Sequence, residues 1–129
     1  LGTLRAPAPT RSGPHEPVHP MAVSVSPEAL ALQRLYHWES TTPDKIVFTQ
    51  PMGGGRVEEF TWRQVMDQSR RMATHLRAQG FPAGSRIAVL SKNCAQFVMA
   101  ELAIWMAGYT TVAIFPTETA ETVGFVLNH

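Results

Sequence analysis

Hydrophobic and polar residues follow one another in blocks that predict a succession of helices and short strands. The clearest block begins at Thr61, after which apolar or small side chains recur every three or four residues, at Trp62, Val65, Met66, Ser69, Met72, Ala73 and Leu76. This spacing predicts an amphipathic helix, because it places these side chains on one face. Gln64 stands three residues after Thr61, which is the spacing of a capping box. Gly80 followed by Pro82 predicts the end of the helix.

The next blocks predict a strand, a buried helix and a second strand. Residues 86–90 (RIAVL) and 110–115 (TTVAIF) are short and rich in β-branched side chains, as is typical of strands that are buried on both faces of a parallel sheet. Residues 94–106 are apolar nearly all round and predict a helix inside the protein, with Asn93 and Gln96 as its cap. A strand, a crossover helix and a strand form the unit of a parallel sheet.

Two further helices are expected on either side of these elements. The first begins at Ser26 or Pro27 and ends near Glu39, with apolar contacts from Leu30, Leu32, Leu35, Tyr36 and Trp38. The last follows a cap at Thr117 or Thr119, and its inward positions are Ala120, Val123, Val126 and Leu127.

Glycines at positions 53–55 separate two short β-rich runs, residues 45–50 and 56–60. Two such runs joined by glycines predict a β-hairpin. A triple glycine can also form a phosphate cradle, but a cradle requires a helix amino terminus directly after it. A strand follows here, which favours the hairpin.

Composition and charge exclude several classes of partner. The 129 residues are 44% hydrophobic and 16% charged, as in a soluble globular domain. The net charge of +1 gives no electrostatic footprint for nucleic acid or an anionic membrane. Arginines on the predicted Thr61 helix are diluted by acidic and amide side chains, so they indicate a solvated face. No nucleic acid partner is expected.

Few single residues suggest chemistry. The helix dipole could favour a thiolate at Cys94, but an inert core residue is the preferred interpretation. As the sole cysteine, Cys94 excludes an intrachain disulfide and fits a cytoplasmic location. His75 falls on the polar face of its helix and is expected to be exposed. Residues 94–115 are too interrupted for a membrane span, because Glu101 would cost about 2.5–3.5 kcal/mol at the bilayer centre and Gly108 breaks the helix.

Residues 1–20 contain five of the ten prolines and no helical or alternating period. We expect a disordered Pro-rich tail that is not a secretory signal, with an ordered subdomain over residues 21–129. Met21 is then a candidate natural start. His15 and His19 have a spacing that a helix could use for a metal, but no helix is predicted there, so a solvated tail is favoured.

The residues that follow Leu90 show whether the chain has the glycine pattern of a dinucleotide site. A Rossmann enzyme requires Gly-x-Gly-x-x-Gly at this turn, whereas the chain has SKNCAQ at residues 91–96. The predicted α/β unit therefore reads as scaffold, and composition and spacing alone leave its function open.

Two segments resemble core motifs of the adenylate-forming enzymes, the superfamily of acyl-CoA synthetases, luciferases and peptide-synthetase adenylation domains. Phe60 to Leu76 is similar to the first motif, and Leu102 to Pro116 to the second, within a resemblance over residues 27–129. SKNC at residues 91–94 and FPT at residues 115–117 are most like the long-chain fatty acyl-CoA synthetases, although those carry Tyr where this chain has Phe115.

The resemblance implies an α/β fold that is the amino-terminal part of the large adenylate-forming domain, with parallel strands, crossover helices and a short hairpin. It also implies a parent enzyme that uses ATP and Mg²⁺ to convert a fatty or other apolar carboxylic acid to an acyl-adenylate, and then transfers the acyl group to CoA. Peripheral membrane association and oligomeric state stay open.

The phosphate-binding loop, the metal-binding acid and the catalytic lysine of the family lie beyond the region that the resemblance covers. We therefore assign no catalytic, cofactor-binding or metal residue to this chain, and we expect the fragment to bind no cofactor and to be inactive alone. Because the fragment would lack its family partners, it should associate or aggregate. The alternative is a complete, non-catalytic α/β interaction module.

Overall fold

The computed structural model describes residues 24–128. A 3-10 turn at Pro27–Ala29 precedes the regular elements, which in chain order are α1 (Ala31–Thr41), β1 (Ile46–Gly53), β2 (Arg56–Thr61), α2 (Trp62–Ala78), β3 (Arg86–Leu90), α3 (Ala95–Met106), β4 (Thr110–Ile114) and α4 (Ala120–Leu127). The α/β class expected from the sequence is confirmed. The predicted tail at residues 1–20, with His15 and His19, lies outside the described residues.

Strands β1 and β2 form the predicted antiparallel hairpin. Gly54 and Gly55 make the turn with φ angles of 60° and 75°, a backbone region that glycine adopts without steric cost and that two-residue hairpin turns require. Strand β1 is longer than predicted, because Pro51–Gly53 belongs to it through an irregular register with β2. The glycines therefore lie between two strands, and the phosphate-cradle alternative is wrong.

Helix α2 begins with the predicted capping box. The backbone N–H of Thr61 donates to Gln64 Oε1 at 2.8 Å, and the N–H of Gln64 donates to Thr61 Oγ1 at 3.4 Å. The next free amide, that of Trp62, donates to the carbonyl of Lys45 at 3.1 Å. Thr61 is at once the last residue of β2 and the N-cap of α2, so the strand leads into the helix without a connecting loop.

The core forms where α2 packs against α3. The buried residues of α2 are Val65, Met66, Ser69, Ala73 and Leu76, and those of α3 are Ala95, Met99, Leu102, Ala103, Ile104 and Met106. Ser69 is buried without a penalty, since its hydroxyl donates to the carbonyl of Val65 at 2.8 Å. Met72 lies at the margin of the apolar stripe and is 39% exposed, so its predicted inward position is wrong.

Strands β3 and β4 pair in parallel, from Arg86 beside Thr110 to Leu90 beside Ile114, with α3 as the connection. The predicted β-α-β unit is confirmed. The predicted burial of both faces of β3 is wrong. Ile87 and Val89 pack against the core cluster, whereas Ala88 and Leu90 on the other face are exposed. Among the described residues, only one face of β3 is covered.

The first helix differs from its prediction at both ends. Leu30 has an extended backbone, with φ −67° and ψ 140°, and separates the 3-10 turn from α1. The helix then continues to Thr41, two residues past the predicted Glu39. Leu30 and Trp38 are exposed, because α1 touches the core through the neighbouring positions Leu32, Leu35 and Tyr36.

The last helix has the predicted cap at Thr119, whose Oγ1 accepts the backbone N–H of Thr122 at 3.1 Å. None of its residues is buried, and Ala120 and Leu127 are exposed instead of inward. Spacing alone predicted the inward positions, and it cannot show how much of α4 other residues cover. Within the described residues, little of α4 is covered.

None of the helices found in residues 24–128 combines the length and the apolar character needed to cross a membrane. The segment that could be read as a span, residues 94–115, is divided into helix α3 and strand β4. The predicted division of this segment is therefore confirmed.

Candidate functional site

The carboxyl end of the β3–β4 sheet is the first place to look for a site, because open α/β sheets bind ligands at that edge. The two strands end side by side, and the backbone N–H of Ser91 donates to the carbonyl of Ile114 at 3.3 Å. Ser91, Lys92 and Asn93 lead from β3 towards α3, while Phe115 follows β4. This edge therefore collects one hydroxyl, one amine, one amide and an exposed aromatic ring.

Helix α3 begins at this edge, with Cys94 as its N-cap residue. The predicted Asn93 and Gln96 cap is wrong. A residue far away in sequence takes its place: the Oε1 atom of Gln50, on β1, accepts the backbone N–H of Ala95 at 3.0 Å. A local capping pattern cannot reveal this hydrogen bond, which joins residues 45 positions apart.

Cys94 is half-buried and directly precedes the first turn of α3. Its hydrogen bond with the backbone N–H of Phe97 lowers the pKa of the Cys94 thiol, and the Ser91 hydroxyl, the Gln96 amide and the charge of Lys92 act in the same direction, against the effect of partial burial. The sulfur lies 3.8 Å from Ser91 Oγ. Cys94 thus occupies the N-cap position of α3, and its neighbours lower the pKa of its thiol. It is half-buried and lies outside the buried cluster, so the predicted core position is wrong.

A cleft of about 400 Å³ lies between the hairpin and the start of α3, lined by Gln50, Pro51, Met52, Gly53, Lys92, Cys94 and Gln96. Lys92 is the charged residue in this lining. Across residues 24–128, no three His, Cys, Asp or Glu side chains come together in a way that could hold a metal ion. The cleft brings together a cation, amides and a thiol, without a carboxylate or histidine for acid–base catalysis.

The four arginines of α2 form ion pairs or hydrogen bonds with other residues of the chain. Three of them form ion pairs, which are Arg63 with Asp44 at 3.0 Å, Arg70 with Glu39 at 2.5 Å and Arg71 with Asp67 at 2.6 Å. The fourth, Arg77, donates to the carbonyl of Met106 at the end of α3. They were predicted as a solvated face, and that face also holds α2 to its neighbours. His75 is exposed, as predicted.

Comparisons with known proteins agree on one family. The family model described as "AMP-binding enzyme" matches residues 35–129. Acetate/butyrate–CoA ligase AAE7 of Arabidopsis thaliana is 32% identical over 71 residues, which are 55% of this chain and 12% of the relative. Long-chain-fatty-acid–CoA ligase FadD15 of Mycobacterium bovis is 27% identical over 124 residues, which are 96% of this chain and 18% of the relative.

A solved structure supports the same conclusion about the fold. The fatty acid AMP ligase of Legionella pneumophila matches with a TM-score of 0.67 and 21% identity, over 73% of this chain and 17% of that chain. The chain thus spans less than a fifth of the length of these relatives. Because the family model covers most of the chain, including the α2–α3 core and the β3–β4 sheet, the chain belongs to the AMP-binding enzyme family.

Proposed function

We propose that this chain is the amino-terminal part of a longer, cytoplasmic, ATP-dependent acyl-CoA synthetase. Such an enzyme converts a carboxylate and ATP to an acyl-adenylate and pyrophosphate, and then transfers the acyl group to the thiol of CoA. The observation that carries the proposal is the family match over residues 35–129, combined with two relatives named as CoA ligases that are more than five times longer than their aligned segments.

A fatty acid is the proposed substrate. The named substrates of the two relatives differ in length, since one acts on acetate or butyrate and the other on long-chain fatty acids. The alignment with the long-chain enzyme extends over 96% of this chain. The similarity of Phe115, Pro116 and Thr117 to long-chain synthetases points the same way. We therefore propose a long apolar carboxylic acid.

The described residues offer no side-chain cluster for Mg²⁺ and no glycine-rich loop for the phosphates of ATP. Residues 24–128 bring together no group of side chains suited to a metal. The triple glycine lies in a hairpin with no helix behind it, and the first amide of α3 is bonded to Gln50, so neither has the form of a glycine-rich phosphate loop that opens a helix. We derive no catalytic step from this chain. In the proposal it is a scaffold that is inactive alone, and the rest of the enzyme supplies the catalytic groups.

Exchange of radiolabelled pyrophosphate into ATP tests the proposal. The 129-residue chain and the longer gene product are each assayed with acetate, butyrate and palmitate. We expect exchange by the longer product, fastest with palmitate, and none by the chain. Exchange by the chain with any of these acids would overturn the scaffold role.

The gene itself provides a second test. The codons downstream of His129 should encode a Thr-Ser-Gly-type loop that ends near Pro-Lys-Gly. A stop codon soon after His129 would instead favour the non-catalytic interaction module.

A further inference from the structure

Two adjoining clefts follow the start of helix α3. The cleft between the hairpin and α3, described above, has a volume of about 400 Å³ and contains Lys92, Cys94 and Gln96 in its lining. A second cleft of about 260 Å³ lies between α2 and α3, and Gln96 lines it as well. The two clefts therefore meet at Gln96. Together they reach the size of about 300–1,000 Å³ that is usual for small-molecule sites. We name the pair the α3 groove.

The second cleft is mainly apolar. Besides Gln96, its lining consists of Gln68 and Met72 on α2 and of Met99 and Ala100 on α3. Met99 and Ala100 follow Gln96 by three and four residues, so they lie one turn further along the same face of α3. Met72 is apolar but 39% exposed. Because methionine is flexible and adapts to irregular apolar partners, this end of the groove can contact an aliphatic tail.

The other end of the groove carries one unpaired positive charge. Lys92 is exposed, and no ion pair found in residues 24–128 involves it. Its charge acts on the thiol of Cys94 and helps to lower the pKa of that group, so the ammonium lies near the start of α3. Neither cleft is lined by an aspartate or a glutamate. A single cation without a competing carboxylate is complementary to a ligand that carries one negative charge.

We propose that the α3 groove binds a long-chain carboxylate, that is, a fatty acid. The carboxylate pairs with the ammonium of Lys92, and the aliphatic tail lies along Met99 and Met72 between α3 and α2. An ion pair at an exposed site contributes little affinity, so the tail supplies most of the binding and Lys92 supplies the preference for an anion. This inference goes beyond the proposed function and does not rest on it, because binding here requires neither ATP nor a catalytic group.

A phosphate group fits the groove less well than a carboxylate. Phosphates are usually held by arginine side chains in bidentate pairs or by the free amides of a helix start. The groove has one lysine and no arginine in its lining, and the amide of Ala95 is bonded to Gln50.

Cys94 provides a reporter for occupancy, because it lines the groove and is the sole cysteine of the chain. The rate of its alkylation by iodoacetamide is measured in the 129-residue chain with increasing laurate, below the concentration at which laurate forms micelles. We expect saturable protection of at least about threefold, since protection follows burial. Unfolding by the fatty acid would instead speed the reaction. Alkylation of free N-acetylcysteine under the same conditions should not change.

Two other ligands separate the contributions of the tail and of the charge. Each methylene that the groove buries should tighten binding by up to about fourfold, so butyrate should protect far more weakly than laurate. Dodecanol has the same length as laurate but no charge, and it should also protect more weakly.

Substitutions then test the assigned residues. Lys92→Gln should raise the laurate concentration for half-protection by about two- to fivefold and remove the preference for laurate over dodecanol. The matched control is Lys45→Gln, because Lys45 is the other lysine of the chain and is also exposed, and it should change neither. Met72→Gln should weaken both ligands and keep the preference. Rates are compared with and without ligand in each variant, since Lys92→Gln also alters the thiol.

Alkylation of Cys94 that laurate does not slow would overturn the proposal. Equal effects of Lys92→Gln and Lys45→Gln would also do so, because binding would then depend on general charge. Stronger protection by dodecyl phosphate than by laurate would refute the choice of a carboxylate. Protection that appears without ligand as the protein concentration rises would assign the groove to a second copy. Pyrophosphate exchange by the longer gene product is measured separately, so failure of either proposal is seen independently of the other.

Discussion

Replacing Gln50 by alanine should loosen the joint between the hairpin and helix α3. The side chain of Gln50 accepts the N–H of Ala95 at 3.0 Å, and Ala95 is only 4% exposed. The bond itself is part-buried and Gln50 lines the cleft beside the hairpin, so water can replace the lost acceptor only in part. An unsatisfied buried amide costs about 1–3 kcal/mol, and a side chain that accepts a free amide at a helix start contributes about 0.5–2 kcal/mol when it stands at the N-cap itself. We expect the free energy of unfolding to fall by about 1–2 kcal/mol.

Urea unfolding and amide exchange measure this effect together. For a domain of about 100 residues, each kcal/mol also lowers the melting temperature by roughly 4–8 °C. The amide of Ala95 should exchange faster in Gln50→Ala than in the wild type. Gln50→Glu retains an acceptor oxygen and adds a negative charge near the helix amino terminus, which the dipole favours, so it should preserve most of the stability.

Gln68→Ala is the control, because Gln68 is an exposed residue on α2 and such substitutions usually change stability by less than about 0.5 kcal/mol. The reasoning fails if Gln50→Ala unfolds at the wild-type urea concentration and the Ala95 amide exchanges at the wild-type rate. The hydrogen bond would then contribute nothing to the joint.

Three other predictions concern the thiol, the glycines and the core. The alkylation rate of Cys94 should rise with a midpoint at lower pH in the folded chain than in the urea-unfolded chain, because folding lowers the pKa of this thiol. The resulting stabilisation is complete above the unfolded pKa and is lost as the pH falls through the folded pKa. Equal midpoints in the folded and unfolded chains would contradict this. Gly54→Ala should lower the free energy of unfolding by about 1 kcal/mol, since the φ of Gly54 is positive. Gly124→Ala in α4 should raise it by about 0.5–1 kcal/mol. Equal effects of the two substitutions in urea unfolding would refute this difference. Met66→Ala should cost about 2–5 kcal/mol of stability, because Met66 is fully buried. Met72→Ala on the same helix should cost under about 1 kcal/mol, because Met72 is 39% exposed. Similar unfolding midpoints for the two variants would count against the α2–α3 core.

Local signals predicted the parts of the fold that depend on neighbouring residues. The capping box of Thr61 and Gln64 and the turn at Gly54 and Gly55 require only a few adjacent positions, and both are present. The cap of α3 could not be predicted in this way, because its partner is Gln50 on another element.

Exposure was predicted less well than secondary structure. A run such as RIAVL at residues 86–90 indicates a strand suited to burial, but it does not say whether the covering element belongs to the same stretch of chain. Leu90, the last residue of this run, is 59% exposed. The candidate site shows the same difference. The sequence itself shows that residues 91–96 contain no glycine, whereas the neighbours that lower the pKa of Cys94, which are Phe97, Ser91 and Lys92, are identified only in the structure.

The direct junction of β2 and α2 at Thr61 limits where this chain can accept extra residues. One residue inserted after Thr61 would turn α2 by about 100° relative to the hairpin, and Val65 and Met66 would leave the core. At the turn, a Cβ on Gly54 or Gly55 would meet no atom within 4 Å, and added residues there would not rotate a helix. Epitope tags and natural length variation should therefore be tolerated at the hairpin tip, six residues or so from a position where a single added codon would misalign the whole helix.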